Sequence, residues 1–210
     1  MKKLVLTLLF VIIIGGAAFW YFAVFGGAPS AGRPQAMAQK ITLTTSDGKT
    51  IVGDYSGKSG QPAVLMLHMM PATRASWREF SKKLNAAGFQ ALAIDLRGHG
   101  ESEGGPQGYK RFSDEEHQAS INDIEAAVAY LKSKSASNLF IVGASIGANL
   151  ALWYASEHQE IRGIVLLSPG LDYRGIKIGT YAGNLRSGQA VYYAASRDDI
   201  SPPSTLNATL

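Results

Sequence analysis

Short apolar stretches alternate along this chain with longer segments whose apolar residues recur every three or four positions. The apolar stretches without alternation are residues 63–67, 89–94, 139–142, 164–167 and 190–195. Such runs are typical of strands buried on both faces, as in a parallel sheet. The segments with helical spacing are residues 76–87, 113–131 and 146–157. This alternation predicts an α/β fold, with a mostly parallel sheet and helices on both faces.

Local signals refine these elements. Residues 41–45 and 50–55 flank an Asp-Gly turn, which predicts a β-hairpin ahead of the parallel strands. A serine followed three residues later by glutamate can form a capping box at a helix N-terminus. The pairs Ser76/Glu79 and Ser113/Glu116 have this spacing, so we expect helices to begin there.

The N-terminus has the pattern of a membrane anchor. Lys2 and Lys3 precede residues 4–25, which are 22 residues without a charge, and about 20 apolar residues span a bilayer core. We expect residues 1–25 to form an uncleaved signal anchor, with the N-terminus in the cytoplasm and the domain outside it, in a bacterial periplasm or at the cell exterior. The alternative is a cleaved signal peptide, which would make the protein secreted. Residues 26–40 are predicted to be a linker and residues 41–210 the folded domain.

Composition excludes several kinds of chemistry. The chain has no cysteine, which rules out disulfides, thiolate metal ligands and a cysteine nucleophile. No group of His, Asp and Glu has metal-ligand spacing, so we predict neither a metal nor any other cofactor. The net charge of +4 arises from dispersed Lys and Arg residues. Because these form no basic cluster with interleaved aromatic residues, we predict no nucleic-acid partner.

The strongest chemical signal is Gly143-Ala144-Ser145-Ile146-Gly147, set between a predicted strand and a predicted helix. In that context, G-x-S-x-G is the nucleophile elbow, a sharp turn that exposes a serine above the sheet. Ser145 is therefore the candidate nucleophile, and the backbone N–H of Ile146 a candidate oxyanion donor. The alternatives are a glycine-rich turn with an idle serine and a nucleotide-binding loop, but neither nucleotide-binding glycine pattern is present.

Two further motifs accompany the elbow. His68-Met69-Met70 follows the strand at residues 63–67, and the sequence DLRGHGES, residues 95–102, follows the next strand. With GASIG, they resemble the α/β-hydrolase superfamily, in the group of serine esterases, lipases and related acyl hydrolases, over residues 41–203. The resemblance implies a second oxyanion donor at the backbone N–H of Met70, with Met69 replacing the family's glycine. It also implies a structural role for His99.

The resemblance further implies a catalytic acid after a later strand. Asp199 fits the family's strand-turn-Asp segment best, Asp198 is its immediate rival, and Asp172 is a third candidate. The general alternative is that each is a solvated turn aspartate.

The base is the missing member of this set. In the superfamily, a histidine follows the acid, whereas the four histidines here, His68, His99, His117 and His158, all precede Asp199. We therefore expect the last strand and last helix of the fold to be missing as well.

Three hypotheses follow. The first is a membrane-anchored serine hydrolase, cut short in sequence, that acts on a small ester, amide or peptide through an acyl-enzyme; the chain without its histidine could be inactive. The second is a non-catalytic, membrane-tethered binding protein on a degenerate hydrolase scaffold. A gene fragment that does not fold stably is a third possibility. The oligomeric state is not predicted.

Overall fold

The structure is a computed structural model that describes residues 37–195. The strands of this part are β1 (Gln39–Thr44), β2 (Thr50–Ser56), β3 (Ala63–Leu67), β4 (Gln90–Ile94), β5 (Leu139–Ala144), β6 (Ile161–Leu167), β7 (Asp172–Tyr173), β8 (Ile176–Lys177) and β9 (Ala190–Ala194). The α-helices are α1 (Arg78–Ala86), α2 (Asp114–Gln118), α3 (Ile121–Ser133), α4 (Ile146–Glu157) and α5 (Ile178–Ala182). Short 3-10 turns occupy Arg74–Trp77 and Gly108–Arg111.

Seven of the described strands form one sheet in the order β1-β2-β4-β3-β5-β6-β9. The strands from β4 to β9 in this order are parallel to one another, while β1 and β2 form an antiparallel hairpin at one end. The predicted α/β fold, its mostly parallel sheet and its N-terminal hairpin are therefore confirmed. A separate hairpin, β7–β8, and helix α5 lie between β6 and β9.

The central strands are apolar because helices cover both of their faces. Every residue of β3 and β4 is buried. Leu65 of β3 belongs to the main core cluster together with residues of α3 and α4. Its neighbour Met66 faces the other side, where the Ser81 hydroxyl of α1 lies 3.8 Å from its sulfur. Successive side chains of a strand point to opposite faces, so the run without alternation reflects two apolar layers.

Two helix predictions hold and one is corrected. Helix α4 has the predicted bounds, and the Ser113/Glu116 capping box forms at the start of α2. A single helix from Ser113 through Leu131 is wrong, because α2 ends at Gln118 and α3 begins at Ile121.

The capping box predicted at Ser76 and Glu79 is also wrong. The chain turns earlier, because the backbone N–H of Arg74 donates to the buried carboxylate of Asp95 at 2.7 Å and the Arg74 guanidinium pairs with the same group. The Ser76 hydroxyl donates instead to the carbonyl of Thr73 at 2.8 Å. A 3-10 turn therefore precedes α1, which starts at Arg78.

The predicted anchor at residues 1–25 lies outside the described residues, as do residues 196–210. Strand β1 begins at Gln39, just inside the predicted linker. Across residues 37–195, no helix is both long and apolar enough to cross a membrane. The anchor, the linker and the missing last strand and helix stay predictions.

Candidate active site

Ser145 lies at the sharp turn between β5 and α4. Its backbone has φ 53° and ψ −122°, a region that residues with a side chain rarely adopt. Its backbone N–H donates to the carbonyl of Leu167 at the end of β6, at 2.9 Å. The side-chain hydroxyl forms no hydrogen bond with any residue between 37 and 195. The turn thus presents an uncommitted hydroxyl at the carboxyl edge of the sheet, where ligands of open α/β sheets bind.

The two flanking glycines make this turn possible. A β-carbon on Gly143 would overlap the carbonyl oxygen of Gly147. A β-carbon on Gly147 would lie 2.6 Å from the carbonyl oxygen of Leu67 and 2.8 Å from that of His68. Both positions therefore require glycine for space, as the elbow motif predicts.

The two predicted oxyanion donors have backbone N–H groups without a protein acceptor in the described part of the chain. Ile146 is the first residue of α4, so its N–H is one of the unpaired donors at a helix N-terminus, where the dipole favours negative charge. Met70 lies in the turn after β3. Whether the two N–H groups converge on one oxygen stays a prediction.

The turn that carries Met70 is fixed by the carbonyl of Met69. This oxygen accepts hydrogen bonds from the Ala72 N–H at 2.8 Å and from Nδ1 of His68 at 2.9 Å. In a trans peptide the carbonyl and the following N–H point in opposite directions. Fixing the Met69 carbonyl therefore directs the Met70 N–H away from His68. The turn is thus held in place even though the resemblance implies a glycine at the position of Met69.

His68 cannot act as the base in this position. It is fully buried, and its Nε2 accepts the backbone N–H of Leu96 at 3.0 Å while Nδ1–H donates to Met69. Burial lowers the pKa of His68 to about 4, so the ring is neutral at pH 7. Both ring nitrogens are used in holding two loops together.

The other three histidines also make no hydrogen bond to Ser145. His99 is buried, donates from Nδ1 to the Arg97 carbonyl at 3.0 Å and stacks on Tyr109 at 4.2 Å between ring centroids. His117 is buried in α2, and His158 follows α4, stacked on Tyr154. The arrangement of His99 agrees with the structural role expected for it.

Of the three candidate acids, only Asp172 lies within the described residues. Asp198 and Asp199 lie outside the described residues, so their roles stay predictions. Asp172 is exposed in β7, and its carboxylate accepts the backbone N–H of Gly175 at 2.8 Å across the tip of the β7–β8 hairpin. Asp172 thus stabilises this turn. No three His, Cys, Asp or Glu residues within 37–195 are grouped so that they could hold a metal.

The DLRGHGES segment is held by two buried ion pairs. Asp95 accepts bonds from Arg74 and from the Glu101 backbone N–H, the latter at 2.9 Å. Arg97 donates to the carboxylate of buried Asp123 through Nε at 2.9 Å and Nη2 at 2.7 Å. A β-carbon on Gly100 would overlap the Asp95 carboxylate, which explains the glycine. These contacts hold the loop after β4 beside the loop after β3.

Asn149 is a site residue that the sequence reasoning missed. It is buried in α4, one turn after Ser145, and its side-chain amide donates to the carbonyls of Gly170 at 2.8 Å and Ile176 at 2.7 Å. Its side-chain oxygen accepts the Gly170 N–H at 3.2 Å. A lone amide in the otherwise apolar segment ANLAL was the signal that could have identified it.

The fold and the elbow together define the class of protein. Residues 62–203 match the family model described as alpha/beta hydrolase fold. The chain belongs to the α/β-hydrolase family, as the three motifs indicated.

Comparisons with individual proteins show the same relationship. The chain is similar to a thermostable monoacylglycerol lipase of Bacillus sp. (strain H-257), with 26% identity over 129 residues, 61% of this chain and 49% of the lipase. It is 32% identical over 126 residues to epoxide hydrolase B of Mycobacterium tuberculosis, 60% of this chain and 33% of that protein. The chain thus spans between a third and a half of the length of these relatives.

Among solved structures, the esterase Pf2001 of Pyrococcus furiosus superposes with a TM-score of 0.61 at 19% identity, covering 77% of this chain and 84% of the esterase. Epoxide hydrolase A of Mycobacterium thermoresistibile gives a TM-score of 0.51 at 22% identity, covering 62% of this chain and 39% of that protein. At such identities these likenesses show the fold alone.

Proposed function

We propose that this protein is a serine hydrolase that cleaves a small ester, amide or peptide through an acyl-enzyme on Ser145. The observation that carries the proposal is the strained backbone of Ser145, held between two obligatory glycines with its hydroxyl bonded to no residue of the described range 37–195. Strain of this kind costs about 1–3 kcal/mol and persists where function requires it.

The mechanism uses the groups at the carboxyl edge of the sheet. The Ser145 oxygen attacks the substrate carbonyl carbon as a base removes the hydroxyl proton, and the carbonyl oxygen becomes an oxyanion. The N–H groups of Ile146 and Met70 stabilise that oxyanion. Collapse of the intermediate expels the alcohol or amine, which takes up a proton, and water then hydrolyses the acyl-enzyme. Asp199 is the residue we propose to orient the base.

A serine at position 145 favours carbonyl substrates over epoxides, although the similar proteins include both a lipase and epoxide hydrolases. Attack of a serine oxygen on an epoxide carbon gives an ether, which water does not cleave at neutral pH. Attack on a carbonyl carbon gives an ester, which water can cleave. The identity of residue 145 therefore points to acyl transfer.

We also propose that residues 1–25 anchor the protein in a membrane with the hydrolase domain outside the cytoplasm. The support is the 22-residue uncharged segment after Lys2 and Lys3. Secretion after cleavage is the alternative outcome. Protease treatment of spheroplasts, from which any outer membrane has been removed, followed by detection of the domain, distinguishes a domain outside the cytoplasm from a cytoplasmic one.

One observation favours a second candidate function, a non-catalytic, membrane-tethered binding protein. None of the four histidines hydrogen-bonds to Ser145, and a serine hydroxyl without a base is a weak nucleophile. Loss of the base can lower turnover on the order of a millionfold.

Hydrolysis of p-nitrophenyl esters by the purified chain separates the two candidates. The matched pair is Ser145→Ala and Ser133→Ala, because Ser133 is exposed at the end of α3, away from the elbow. Turnover that Ser145→Ala abolishes and Ser133→Ala leaves intact supports the hydrolase. A cooperatively folded chain that shows no Ser145-dependent turnover supports the binding protein.

A further inference from the structure

A glycine-rich loop, residues 104–111, packs against the DLRGHGES segment. Gly98 of that segment is bonded to both flanks of the loop, because its N–H donates to the Glu103 carbonyl at 2.8 Å and its carbonyl accepts the Tyr109 N–H at 3.2 Å. A β-carbon on Gly105 would lie 2.4 Å from a carbonyl oxygen of the same segment. The backbone of the glycine-rich loop is therefore fixed, and its shape is part of the fold.

The glycine-rich loop lines a cavity of about 380 Å³. This volume suits a small ligand, since ligand sites in proteins measure roughly 300–1,000 Å³. The lining consists of three glycines together with Pro106, Gln107, Lys110 and Arg111. A ligand in this cavity therefore meets peptide backbone, one side-chain amide and two cations, and no large apolar side chain.

The two cations of the cavity have no carboxylate partner within residues 37–195. The Lys110 ammonium donates to Oε1 of Gln107, also a lining residue, at 2.8 Å. The exposed Arg111 guanidinium makes no hydrogen bond or ion pair in this part of the chain. Two neighbouring cations without a carboxylate between them attract an anion.

The carboxylates that flank the glycine-rich loop in sequence are engaged with other groups. The pairs are Glu101 with Arg74, Glu103 with Lys49, Asp114 with Arg174, and Glu115 and Glu116 with Ser113. None of these acids bonds to Lys110 or Arg111. The positive charge of the cavity is therefore not neutralised by a contact with the neighbouring segments.

Backbone donors add to the two cations. The N–H groups of Gly104, Gln107 and Gly108 donate to no protein acceptor within residues 37–195. Successive backbone N–H groups in a turn form concavities that bind anions, phosphate among them. A phosphate group has enough oxygens to accept bonds from the backbone and from both side chains, and a guanidinium can bind two of these oxygens at once.

We propose that this cavity binds the phosphate group of a small phosphate ester, with Lys110 and Arg111 as its cationic ligands. No residue of the elbow, 143–147, lines the cavity. The site therefore adds a binding function that does not depend on the proposed catalysis. Soluble phosphate esters and phospholipid headgroups share this chemistry.

Isothermal titration of the purified full chain with glycerol 3-phosphate tests the site directly. The variants Lys110→Gln and Arg111→Gln each remove one cation. Lys58→Gln and Arg186→Gln are the matched controls, because both residues are exposed cations whose side chains make no bond within residues 37–195, in the segments after β2 and after α5. We expect saturable binding to the wild type, weakened about tenfold in each test variant and unchanged in each control.

Two further probes identify the source of the phosphate. Glycerol, which lacks the phosphate, should not bind. Dihexanoyl phosphatidate carries the phosphate on a lipid that dissolves as a monomer. If it binds more tightly than glycerol 3-phosphate, with the same dependence on Lys110 and Arg111, the ligand is a lipid headgroup. Equal or weaker binding identifies a soluble phosphate ester.

Two results would overturn the proposal. One is the absence of saturable glycerol 3-phosphate binding below about 1 mM. The other is an affinity that is unchanged in both Lys110→Gln and Arg111→Gln, or that falls equally in the two controls. Because the readout is binding and not turnover, either result leaves the proposed hydrolase unaffected, and loss of Ser145-dependent hydrolysis leaves the phosphate site unaffected.

Discussion

The backbone of Gly147 packs directly against the carbonyl oxygen of Leu67, so that a β-carbon on Gly147 would lie only 2.6 Å from this oxygen. This backbone contact joins the first turn of α4 to the end of β3, and so joins Ser145 to the turn that carries Met70. The contact therefore explains how one helix can bring the nucleophile and both proposed oxyanion donors to the same edge of the sheet.

Replacing Gly147 with alanine should damage both stability and activity. The added methyl group meets two backbone carbonyls that cannot move independently of β3, so we expect a loss of about 1–3 kcal/mol in the free energy of unfolding. Urea unfolding and ester hydrolysis measure the two effects. Gly179→Ala is the control, since its β-carbon meets nothing within 4 Å. Equal effects of the two variants would contradict the close approach.

Replacing Ser145 with glycine should stabilise the protein while removing its activity. Glycine adopts φ 53° and ψ −122° without a steric penalty, so we expect a gain of about 1 kcal/mol. Ser135→Gly is the control, because exposed Ser135 also has a positive φ, 55°, but lies before β5, at the opposite end of the strand that leads to Ser145. Thermal unfolding should show a higher Tm for both, with esterase activity lost only in Ser145→Gly. A lower Tm for Ser145→Gly would show that the elbow is not strained.

Removing the Asn149 side chain should loosen the β7–β8 hairpin. Asn149→Ala leaves the carbonyls of Gly170 and Ile176 and the N–H of Gly170 without their partner, which we expect to cost about 2–3 kcal/mol. Amide hydrogen exchange should become faster in residues 170–178. Asn184→Ala is the comparison, because exposed Asn184 makes a single long bond of 3.4 Å to Thr180. Unchanged exchange in the hairpin would contradict the proposed attachment.

Mild acid should destabilise the protein through its buried histidines. Burial lowers the pKa values of His68, His99 and His117 in the folded state, that of His68 to about 4. The unfolded chain takes up protons below about pH 6.5 while the folded state does not, so stability is lost as the pH falls. At pH 5, His68 alone accounts for a loss on the order of 2 kcal/mol.

The groups that face these rings support the view that the histidines cause the loss of stability in mild acid. His99 contacts His68 and Tyr109, and Asp95 acts on it only as a weaker, opposing influence. The pKa of Glu101 is held at about 2 by Arg74, so this carboxylate stays ionised between pH 6.5 and 5. Urea midpoints across this range should fall less steeply in His99→Phe. An identical slope would show that His99 has the same pKa in the folded and in the unfolded state.

The sequence predicts the elbow well because the motif that marks it lies within five residues and α4 follows it directly. The need for glycine at position 143 is local, since a β-carbon there would overlap Gly147, whereas the need for glycine at position 147 comes from the carbonyls of Leu67 and His68 at the end of β3. The Ser113/Glu116 box is equally local, since both partners lie within one helical turn.

The failures arise from long-range contacts. The start of α1 is set by the pairing of Arg74 with Asp95, which are 21 residues apart. The role of Asn149 depends on Gly170, again 21 residues away. The spacing of Ser76 and Glu79 fits a capping box but carries no information about such distant partners. It therefore predicted a capping contact that does not form.

Whether Ser145 is a nucleophile can be read from the site at which the protein reacts with a fluorophosphonate, which forms a stable adduct with a nucleophilic serine. Peptide mass spectrometry of the treated chain locates the adduct. We predict modification of Ser145 ahead of every other serine, and none at this peptide in Ser145→Gly. A folded chain that remains unmodified at Ser145, or that reacts equally at other serines, would contradict the claim that the elbow presents a nucleophile.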